Sequence, residues 1–338
     1  MIITRTPFRV TLGGGGTDLS SYYSKYGGFI FSFTLNKYMY ISTKRSFADD
    51  LIRVKYSKSE TVKRLNQLDH EIARTCLKKT GFTKAIEIAS MADIPSGSGL
   101  GSSSTYTVGL LNSLHNLKRD FISINDLAEE ACEVEINILR KPMGKQDQYL
   151  AAYGGFLVLD IKKNGKVNVT NVRLKSGILN DLKNNLLIFY TGKRRSNKEI
   201  LGKQHKASKK NQKNVIESLN YIKDSGFKIL ESVESGNLTN LGVLFDNHWK
   251  YKKNMVKGIS TPEFDKIYNL AKENGAIGGK ISGAGGGGFF TFYCEENQTK
   301  LRKAMNKAGL RELIYDFDFE GTKVLGNFMN YSSENLNS

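Results

Sequence analysis

Cysteine is scarce in this sequence, and its three residues lie far from one another. Cys76, Cys132 and Cys294 have neither the short spacing of a metal site nor the even number of a disulfide framework. We therefore expect buried thiols in a reducing compartment. The four histidines are equally scattered. These absences exclude disulfide-stapled and zinc-finger proteins, and no zinc site is expected.

Long hydrophobic runs are absent as well. No stretch approaches the roughly 20 apolar residues of a membrane-spanning helix, and the first ten residues lack the apolar core of a secretion signal. We therefore expect a cytoplasmic protein with no membrane partner. Acidic residues are too few to balance the 50 Lys and Arg, which leaves a net charge of +17. Such a charge favours anionic partners, either nucleic acid or a small phosphorylated substrate with a nucleotide.

Glycine, by contrast, is plentiful, and it is concentrated in three clusters. They lie at residues 13–16, 97–101 and 283–288, each beside a predicted strand. The second cluster leads into a periodic helix that begins near Ser102. A glycine-rich loop before a helix leaves backbone N–H groups free to bind phosphate, and the helix dipole favours the negative charge. Its spacing matches neither the Rossmann fingerprint nor the Walker-type P-loop.

The hydrophobic pattern predicts a mixed α and β chain whose composition changes near residue 195. The earlier part is predicted to contain a strand over 2–12, an amphipathic helix over 59–79 and a polar loop over 141–148. The later part is dominated by long basic helices. We therefore predict two domains, residues 1–195 and residues 196–338.

The three clusters together resemble the motifs of the GHMP kinases, the family of galactokinase, homoserine kinase, mevalonate kinase and phosphomevalonate kinase. Pro7-Phe8-Arg9 with Gly13 to Asp18 matches the first motif. Pro95 to Ser103 matches every fixed position of the second, P-x-G-x-G-L-G-S-S, and residues 280–289 match the third. The resemblance covers nearly the whole chain. It implies an α+β, two-domain GHMP kinase fold, with an N-terminal domain like domain 2 of ribosomal protein S5 and a ferredoxin-like C-terminal domain.

The resemblance implies transfer of the γ-phosphoryl group of ATP, with Mg²⁺, to a small-molecule hydroxyl. Asp147 matches the family's catalytic carboxylate, which would accept or orient the acceptor proton. Arg9 would stabilise charge in the transition state or keep Asp147 ionised. The implied ATP-binding residues are Pro95, Gly97, Ser98, Gly99, Leu100, Gly101, Ser102 and Ser103.

The resemblance also implies a site for Mg²⁺, made of one loop hydroxyl and one helical carboxylate. Ser103 and Glu135 match these positions. Ser102 and Glu133 stay open as alternatives, because residues two apart on a helix point in different directions. The implied substrate-binding residues are Gly15, Gly16, Thr17, Asp18, Gly283, Gly285, Arg194 and Arg195.

The first motif narrows the expected substrate. Galactokinases carry Glu-His-Thr-Asp where this chain has Gly15 to Asp18, and the runs Gly14 to Asp18 and Gly144 to Tyr149 are similar to the heptose phosphate kinase branch. That resemblance implies phosphorylation of the anomeric C1 hydroxyl of D-glycero-D-manno-heptose 7-phosphate. The product would be heptose 1,7-bisphosphate, on the path to GDP-heptose.

A sugar that already carries a phosphate needs a cationic pocket. We expect Lys193, Arg194 or Arg195 to hold this phosphate, unless the stretch is only the solvent-facing start of a basic helix.

Two other functions stay open. One is a kinase for an unphosphorylated sugar, such as L-fucose, a uronic acid or a galactose-like sugar. The other is a nucleic-acid-binding protein, which the net charge suggests and whose binding would weaken steeply with salt. The basic run over residues 193–213 lacks interleaved aromatic residues, and no nucleic-acid partner is expected. The sequence leaves open whether the protein is a monomer or a homodimer.

Overall fold

Two β-sheets, flanked by helices, make up the protein. The computed structural model describes residues 1–193 and 197–329, apart from the side chains of residues 197–199. The strands are β1 (Ile2–Gly13), β2 (Gly28–Arg45), β3 (Ile52–Lys55), β4 (Ser59–Val62), β5 (Ile86–Ala92), β6 (Phe156–Ile161), β7 (Val167–Asn171), β8 (Leu186–Tyr190), β9 (Gly278–Ile281), β10 (Phe289–Tyr293), β11 (Arg311–Glu312), β12 (Phe317–Asp318) and β13 (Lys323–Asn327).

The helices alternate with these strands in the first half of the chain and dominate the second half. They are α1 (Ser20–Tyr26), α2 (Glu71–Thr80), α3 (Ser102–Lys118), α4 (Ile124–Cys132), α5 (Gln146–Tyr153), α6 (Ser176–Asn185), α7 (Asn197–Lys209), α8 (Lys213–Ser235), α9 (Leu238–Met255), α10 (Pro262–Glu273) and α11 (Gln298–Lys307). A 3₁₀ turn covers Leu65–Gln67, and a π-helical segment covers Glu133–Ile138. Among the described residues, no helix has the length and apolarity needed to cross a membrane.

The larger sheet has nine strands and is built around β2. Its path runs β13-β1-β2-β5-β3-β4, and β2 also pairs with β6 and β12. Strands β1 and β2 are rich in β-branched and aromatic residues, most of which are buried. This composition suits strands at the centre of a sheet. Helix α8 crosses the end of β1, where a Cβ on Gly13 would lie 2.7 Å from the Cα of Gly226. The first glycine cluster therefore begins under a helix from the later part of the chain.

The smaller sheet is antiparallel and has the order β11-β8-β10-β9. The third predicted glycine cluster belongs to this sheet, because residues 283–288 connect β9 to β10. The two sheets do not follow the predicted division at residue 195. Strand β8 precedes that point but belongs to the smaller sheet, whereas β12 and β13 follow it and belong to the larger sheet. The domain boundary itself stays a prediction.

Two predicted elements differ from the structure. The helix over residues 59–79 is wrong, because Ser59–Val62 pairs with β3 and the helix begins only at Glu71. The carboxylate of Glu60 accepts the backbone N–H groups of Asp69 and His70, which holds the chain in a turn before α2. The polar loop over residues 141–148 ends earlier than predicted, since α5 begins at Gln146.

Candidate active site

An arginine and a carboxylate meet at the centre of a large cavity. Arg9, on β1, donates from Nε to Oδ1 of Asp147 at 2.7 Å and from Nη2 to Oδ2 at 2.8 Å. Its remaining nitrogen, Nη1, donates to the carbonyl of Gly99 at 2.7 Å. Because Asp147 lies in the first turn of α5, strand, helix and glycine loop are joined at one point. This bidentate pair is the contact that the matched motifs imply.

The second and third glycine clusters lie against each other beside this pair. Gly97, Gly99 and Gly101 have φ angles of +74°, +84° and +91°, which only glycine adopts readily. A Cβ on Gly288 would lie 1.9 Å from the carbonyl oxygen of Ser98. Within the described part of the chain, the N–H groups of residues 97–101 donate no hydrogen bond. The loop therefore presents free donors directly before the N-terminus of α3, as a phosphate-binding loop requires.

A hydroxyl, a carboxylate and an ammonium meet beside the start of α3. The Ser103 hydroxyl donates to Oε1 of Glu135, and the Lys141 ammonium lies 2.8 Å from Ser103 Oγ and 3.1 Å from Glu135 Oε1. Gln148 donates to the other oxygen of Glu135 at 2.8 Å. The π-helical segment turns Glu135 into the interior, where it is fully buried, while Glu133 points outward to Lys79.

Asp18 is a second buried carboxylate of the cavity, and no cation from residues 1–193 or 200–329 forms an ion pair with it. It accepts the backbone N–H groups of Gly16 at 3.2 Å and of Gln146 at 3.1 Å. Burial, and then the charge of Asp147, raise the pKa of Asp18 to about 6. Gly144 makes this contact possible, since a Cβ there would lie 2.0 Å from Asp18 Oδ2. Asp18 is thus a second carboxylate of the cavity, held by backbone N–H groups instead of by a guanidinium.

The cavity that holds these groups has a volume of about 840 Å³ and two chemically different ends. One end is aromatic and apolar, where the ring of His70 lies 4.6 Å from Tyr56 and 4.8 Å from Tyr106. The other end is polar and basic, and it is lined by Asp18, Gln146, Gln204, His248, Lys252 and Lys280. Gly97, Gly99 and Gly101 of the second glycine cluster also line the cavity. The cavity therefore suits a ligand with a flat apolar group at one end and charged groups beyond it.

Most of the predicted site residues line this cavity. The structure places these in its wall: Arg9, Gly15, Gly16, Asp18, Pro95, Gly97, Gly99, Gly101, Ser102, Ser103, Asp147 and Gly283. Glu135 lies immediately behind the wall, hydrogen-bonded to Ser103. Arg194 and Arg195 lie outside the described residues, so their predicted role stays a prediction.

Four predicted residues support the wall instead of forming it. The Thr17 hydroxyl donates to the carbonyls of Gly14 and Phe29, which closes the first glycine loop from behind. Ser98 and Leu100 are fully buried, and Gly285 packs on Ile259. Their predicted contacts with ligand stay predictions, and the structure shows that their side chains, or the Cα in the case of Gly285, face protein.

The sequence-based reasoning missed the basic groups of the wall. Lys141 could have been predicted from the sequence, because it lies six positions after Glu135 and borders the predicted catalytic motif. His248 and Lys252 give no such signal, and Lys280 begins the third matched motif but was not predicted to contact a ligand. They come from α9 and β9, and only the folded chain brings these elements to the cavity.

Fold and site together define a class of protein. The cavity combines a phosphate-binding loop, a hydroxyl–carboxylate pair suited to a hard cation and a carboxylate held by arginine. These features are typical of a phosphotransferase acting on a small-molecule hydroxyl. Residues 62–155 match the model of the GHMP kinases N terminal domain, and residues 229–310 match the model of the GHMP kinases C terminal domain. The chain belongs to the GHMP kinases, and the predicted family and two-domain α+β fold are confirmed.

Individual relatives agree with this assignment. The chain is 31% identical to the D-glycero-alpha-D-manno-heptose 7-phosphate kinase of Campylobacter jejuni, over 95% of this chain and 98% of the relative. It is 26% identical to the mevalonate kinase of Pyrococcus horikoshii, over 82% and 80% of the two chains. The crystal structure of a D-glycero-D-manno-heptose 1-phosphate kinase from Bacteriodes thetaiotaomicron superposes with a TM-score of 0.80 over 97% of this chain and 100% of that one. At 23% identity, this last likeness shows the fold alone.

Proposed function

We propose that the protein transfers the γ-phosphoryl group of ATP to the anomeric C1 hydroxyl of D-glycero-D-manno-heptose 7-phosphate, giving heptose 1,7-bisphosphate for GDP-heptose synthesis. The observation that carries the reaction type is the bidentate contact between Arg9 and Asp147 beside the glycine loop. The full-length similarity to a heptose 7-phosphate kinase supports the choice of acceptor. The nucleotide and the sugar phosphate are then the two partners of the cavity.

The two ends of the cavity support an orientation for ATP. The adenine would occupy the aromatic end, between the side chains around His70, Tyr56 and Tyr106. The phosphates would accept hydrogen bonds from the N–H groups of residues 97–101 and from the start of α3. The γ-phosphoryl group would then face Asp147, since a Cβ on Gly101 would lie only 3.4 Å from its Oδ2.

Ser103 and Glu135 fit a divalent cation. Mg²⁺ prefers oxygen ligands, and these two side chains already share the Lys141 ammonium at hydrogen-bond distance. The oxygens of Ser103 and Glu135 therefore already accommodate a positively charged group. Bound there, Mg²⁺ would neutralise negative charge on the phosphates. Glu135, and not Glu133, would be its carboxylate ligand, because Glu133 is paired with Lys79 outside the cavity.

Asp147 and Arg9 would have different roles in the phosphoryl-transfer step. Asp147 would accept the proton of the C1 hydroxyl as the sugar oxygen bonds to the γ-phosphorus and the bond to ADP breaks. The guanidinium of Arg9 would hold the carboxylate in position and oppose the negative charge that develops on the transferred group. Asp18, with its raised pKa, would bind sugar hydroxyls.

An ADP-release assay tests this function. ATP and Mg²⁺ would be supplied with heptose 7-phosphate, free heptose, L-fucose, galactose or mevalonate. We expect the fastest turnover on heptose 7-phosphate and a loss of about 100-fold or more in Asp147→Asn. Asp160→Asn, at an exposed carboxylate paired with Lys162, is the matched control and should keep wild-type turnover.

Two results would contradict the proposal. Preferred turnover of a free sugar would leave the kinase activity but remove the heptose phosphate as acceptor. Undiminished turnover in a folded Asp147→Asn variant would remove Asp147 from the reaction, and circular dichroism of the variant establishes that it is folded.

A further inference from the structure

Three basic side chains form a buried cluster at the polar end of the cavity. His248 and Lys252 lie one turn apart on α9, and Lys280 lies on the neighbouring strand β9. Their exposures are 2%, 8% and 4%, and all three line the cavity. We call these three residues the basic cluster. Their burial makes them unlike the solvated lysines that account for most of the net charge.

The basic cluster has carbonyl partners but no counterion among the described residues. The Lys252 ammonium donates to the carbonyls of Ile281 at 2.8 Å and Gly283 at 2.6 Å. The Lys280 ammonium donates to the carbonyl of Leu12 and lies 4.5 Å from the centre of the Phe245 ring. Among the described residues, no carboxylate forms an ion pair with either lysine.

The third member leaves a polar atom unsatisfied. His248 Nδ1 is buried and has no hydrogen-bond partner within the described part of the chain. Burying cationic groups without a counterion is unfavourable unless an anion joins them. Burial, and then the charge of Arg9, lower the pKa of Lys252 to about 7, which reflects the same lack of negative charge. The cluster is thus a set of donors that lacks an anionic acceptor.

The position of the basic cluster favours the acceptor over the nucleotide. Lys280 is fixed to Leu12, immediately before the first glycine cluster, whose Gly15 and Gly16 line the same end of the cavity. Gln204 of α7 also lines this end and is 97% buried. The aromatic end, where the adenine is proposed, is lined by other residues, among them Tyr56, His70 and Tyr106.

We propose that the basic cluster is a phosphate-binding subsite that receives the phosphate already carried by the acceptor sugar. The inference rests on the proposed function, because it takes the polar end of the cavity as the acceptor site. The ammonium groups of Lys252 and Lys280 and a ring nitrogen of His248 would donate to the phosphate oxygens, and charge-assisted hydrogen bonds of this kind are strong. The cluster would thereby select phosphorylated over free sugars.

This assignment differs from the one expected from sequence. Lys193, the described member of the predicted phosphate site, is 53% exposed and paired with the carboxylate of Glu263. Lys193 already has a counterion at the surface, whereas the described part of the chain supplies none to the basic cluster. The buried groups are therefore the better match to a dianionic ligand.

Lys252→Met and Lys280→Met test the subsite, with Lys253→Met as the matched control on the same helix. Lys253 is paired with Asp265 and does not line the cavity. The quantity to measure is the kcat/KM for heptose 7-phosphate divided by that for free heptose. We expect this ratio to fall about tenfold or more in each test variant and to stay at the wild-type value in Lys253→Met.

The same assays separate the subsite from the nucleotide and from the proposed function. An unchanged ratio in both test variants, or a rise of the KM for ATP alone, would overturn the subsite and leave the heptose phosphate kinase intact. A wild-type enzyme that prefers free heptose would overturn the proposed function itself.

A binding measurement keeps the test independent of turnover. Inorganic phosphate, compared with chloride at equal ionic strength, should raise the thermal unfolding midpoint of the wild type and of Lys253→Met. The shift should be smaller in Lys252→Met and Lys280→Met, which keep the side-chain volume and remove a buried charge. Equal phosphate-induced shifts in all four proteins would overturn the subsite.

Discussion

At the scale of single residues, the two carboxylates of the cavity differ because their partners differ. Nε and Nη2 of Arg9 donate to the Asp147 carboxylate, while Asp18, within the described residues, has only N–H donors and a neighbouring negative charge. Burial without a cation disfavours the ionised form of Asp18. In the proposed reaction Asp147 accepts the proton, and Asp18 is a hydrogen-bonding group for the acceptor.

The raised pKa of Asp18 predicts a pH-dependent stability. The native state binds a proton at Asp18 up to about pH 6, whereas the unfolded state releases it near the ordinary value of 3.8. The stabilising contribution of the protonated group is therefore full below 3.8 and is lost as the pH rises to about 6, by about 3 kcal/mol in total.

Urea unfolding between pH 4 and pH 6.5 measures this effect. Relative to Asp18→Asn, the wild type should lose free energy of unfolding across that window. Asp50→Asn, at an exposed carboxylate paired with Lys84, should follow the wild-type profile. Parallel profiles of wild type and Asp18→Asn would show that Asp18 keeps an ordinary pKa.

Lys141 predicts a competition at the cation site. Its ammonium is shared by Ser103 and Glu135, so a divalent cation that binds these oxygens must displace it or be repelled by it. We expect Lys141→Met to bind Mn²⁺ about tenfold more tightly than the wild type in the absence of nucleotide, and Glu135→Gln to bind it more weakly. Electron paramagnetic resonance of free Mn²⁺ measures both affinities. Weaker Mn²⁺ binding in Lys141→Met would mean that the lysine supports the metal site.

Single residues were predictable where a short motif contained them. Arg9, Asp147 and Ser103 lie in runs whose residue types are tied to phosphate chemistry, and the structure brings all three to one cavity. The choice of Glu135 over Glu133 as the proposed Mg²⁺ ligand depends on the π-helical segment, which no sequence periodicity predicts. The basic cluster was not predicted, because Lys280 is distant in sequence from His248 and Lys252 and meets them only through the packing of α9 on β9.

At the scale of elements, the contact between the second and third glycine clusters carries a prediction about stability. Gly288 has a φ of +88°, and a Cβ there would meet the carbonyl of Ser98 at 1.9 Å. Gly288→Ala should therefore lower the free energy of unfolding by about 1–3 kcal/mol and raise the KM for ATP, because the phosphate-binding loop must move away.

Gly177→Ala is the control for this substitution. Gly177 lies in α6 with nothing within 4 Å of an added Cβ, so alanine should leave stability within about 1 kcal/mol or raise it. Thermal unfolding and ATP titration of both variants decide the matter. A Gly288→Ala variant as stable as Gly177→Ala would show that the two loops do not depend on each other.

Elements were predictable where local preference and tertiary pairing agree. The first strand, the turn at Asn164-Gly165 and the Thr261-Pro262 start of α10 carry strong local signals and are found in place. Residues 59–79 have helical spacing of apolar residues, yet the first four pair with β3, because the edge of the sheet offers them backbone partners. In residues 59–62, strand pairing therefore outweighs the helical periodicity, which is weak because the stretch is polar.

At the scale of the whole molecule, the chain passes back and forth between its two sheets. The core of the larger sheet includes side chains from α8 and α9, such as Val233 and Phe245, and its edge is completed by β13 beside β1. Conversely, β8 reaches the smaller sheet before the predicted domain boundary. Neither sheet therefore has a complete core within a continuous half of the chain.

This interleaving predicts that residues 1–195 do not fold alone. The fragment lacks β12 and β13, and it exposes the apolar face that α8 and α9 cover in the full chain. Its β8 also loses both neighbours, β10 and β11. We expect the full chain to unfold in one cooperative thermal transition, and the fragment to show none and to bind a hydrophobic dye. A fragment with a sharp transition and a dispersed amide spectrum would establish residues 1–195 as an independent domain and would support the boundary predicted from composition.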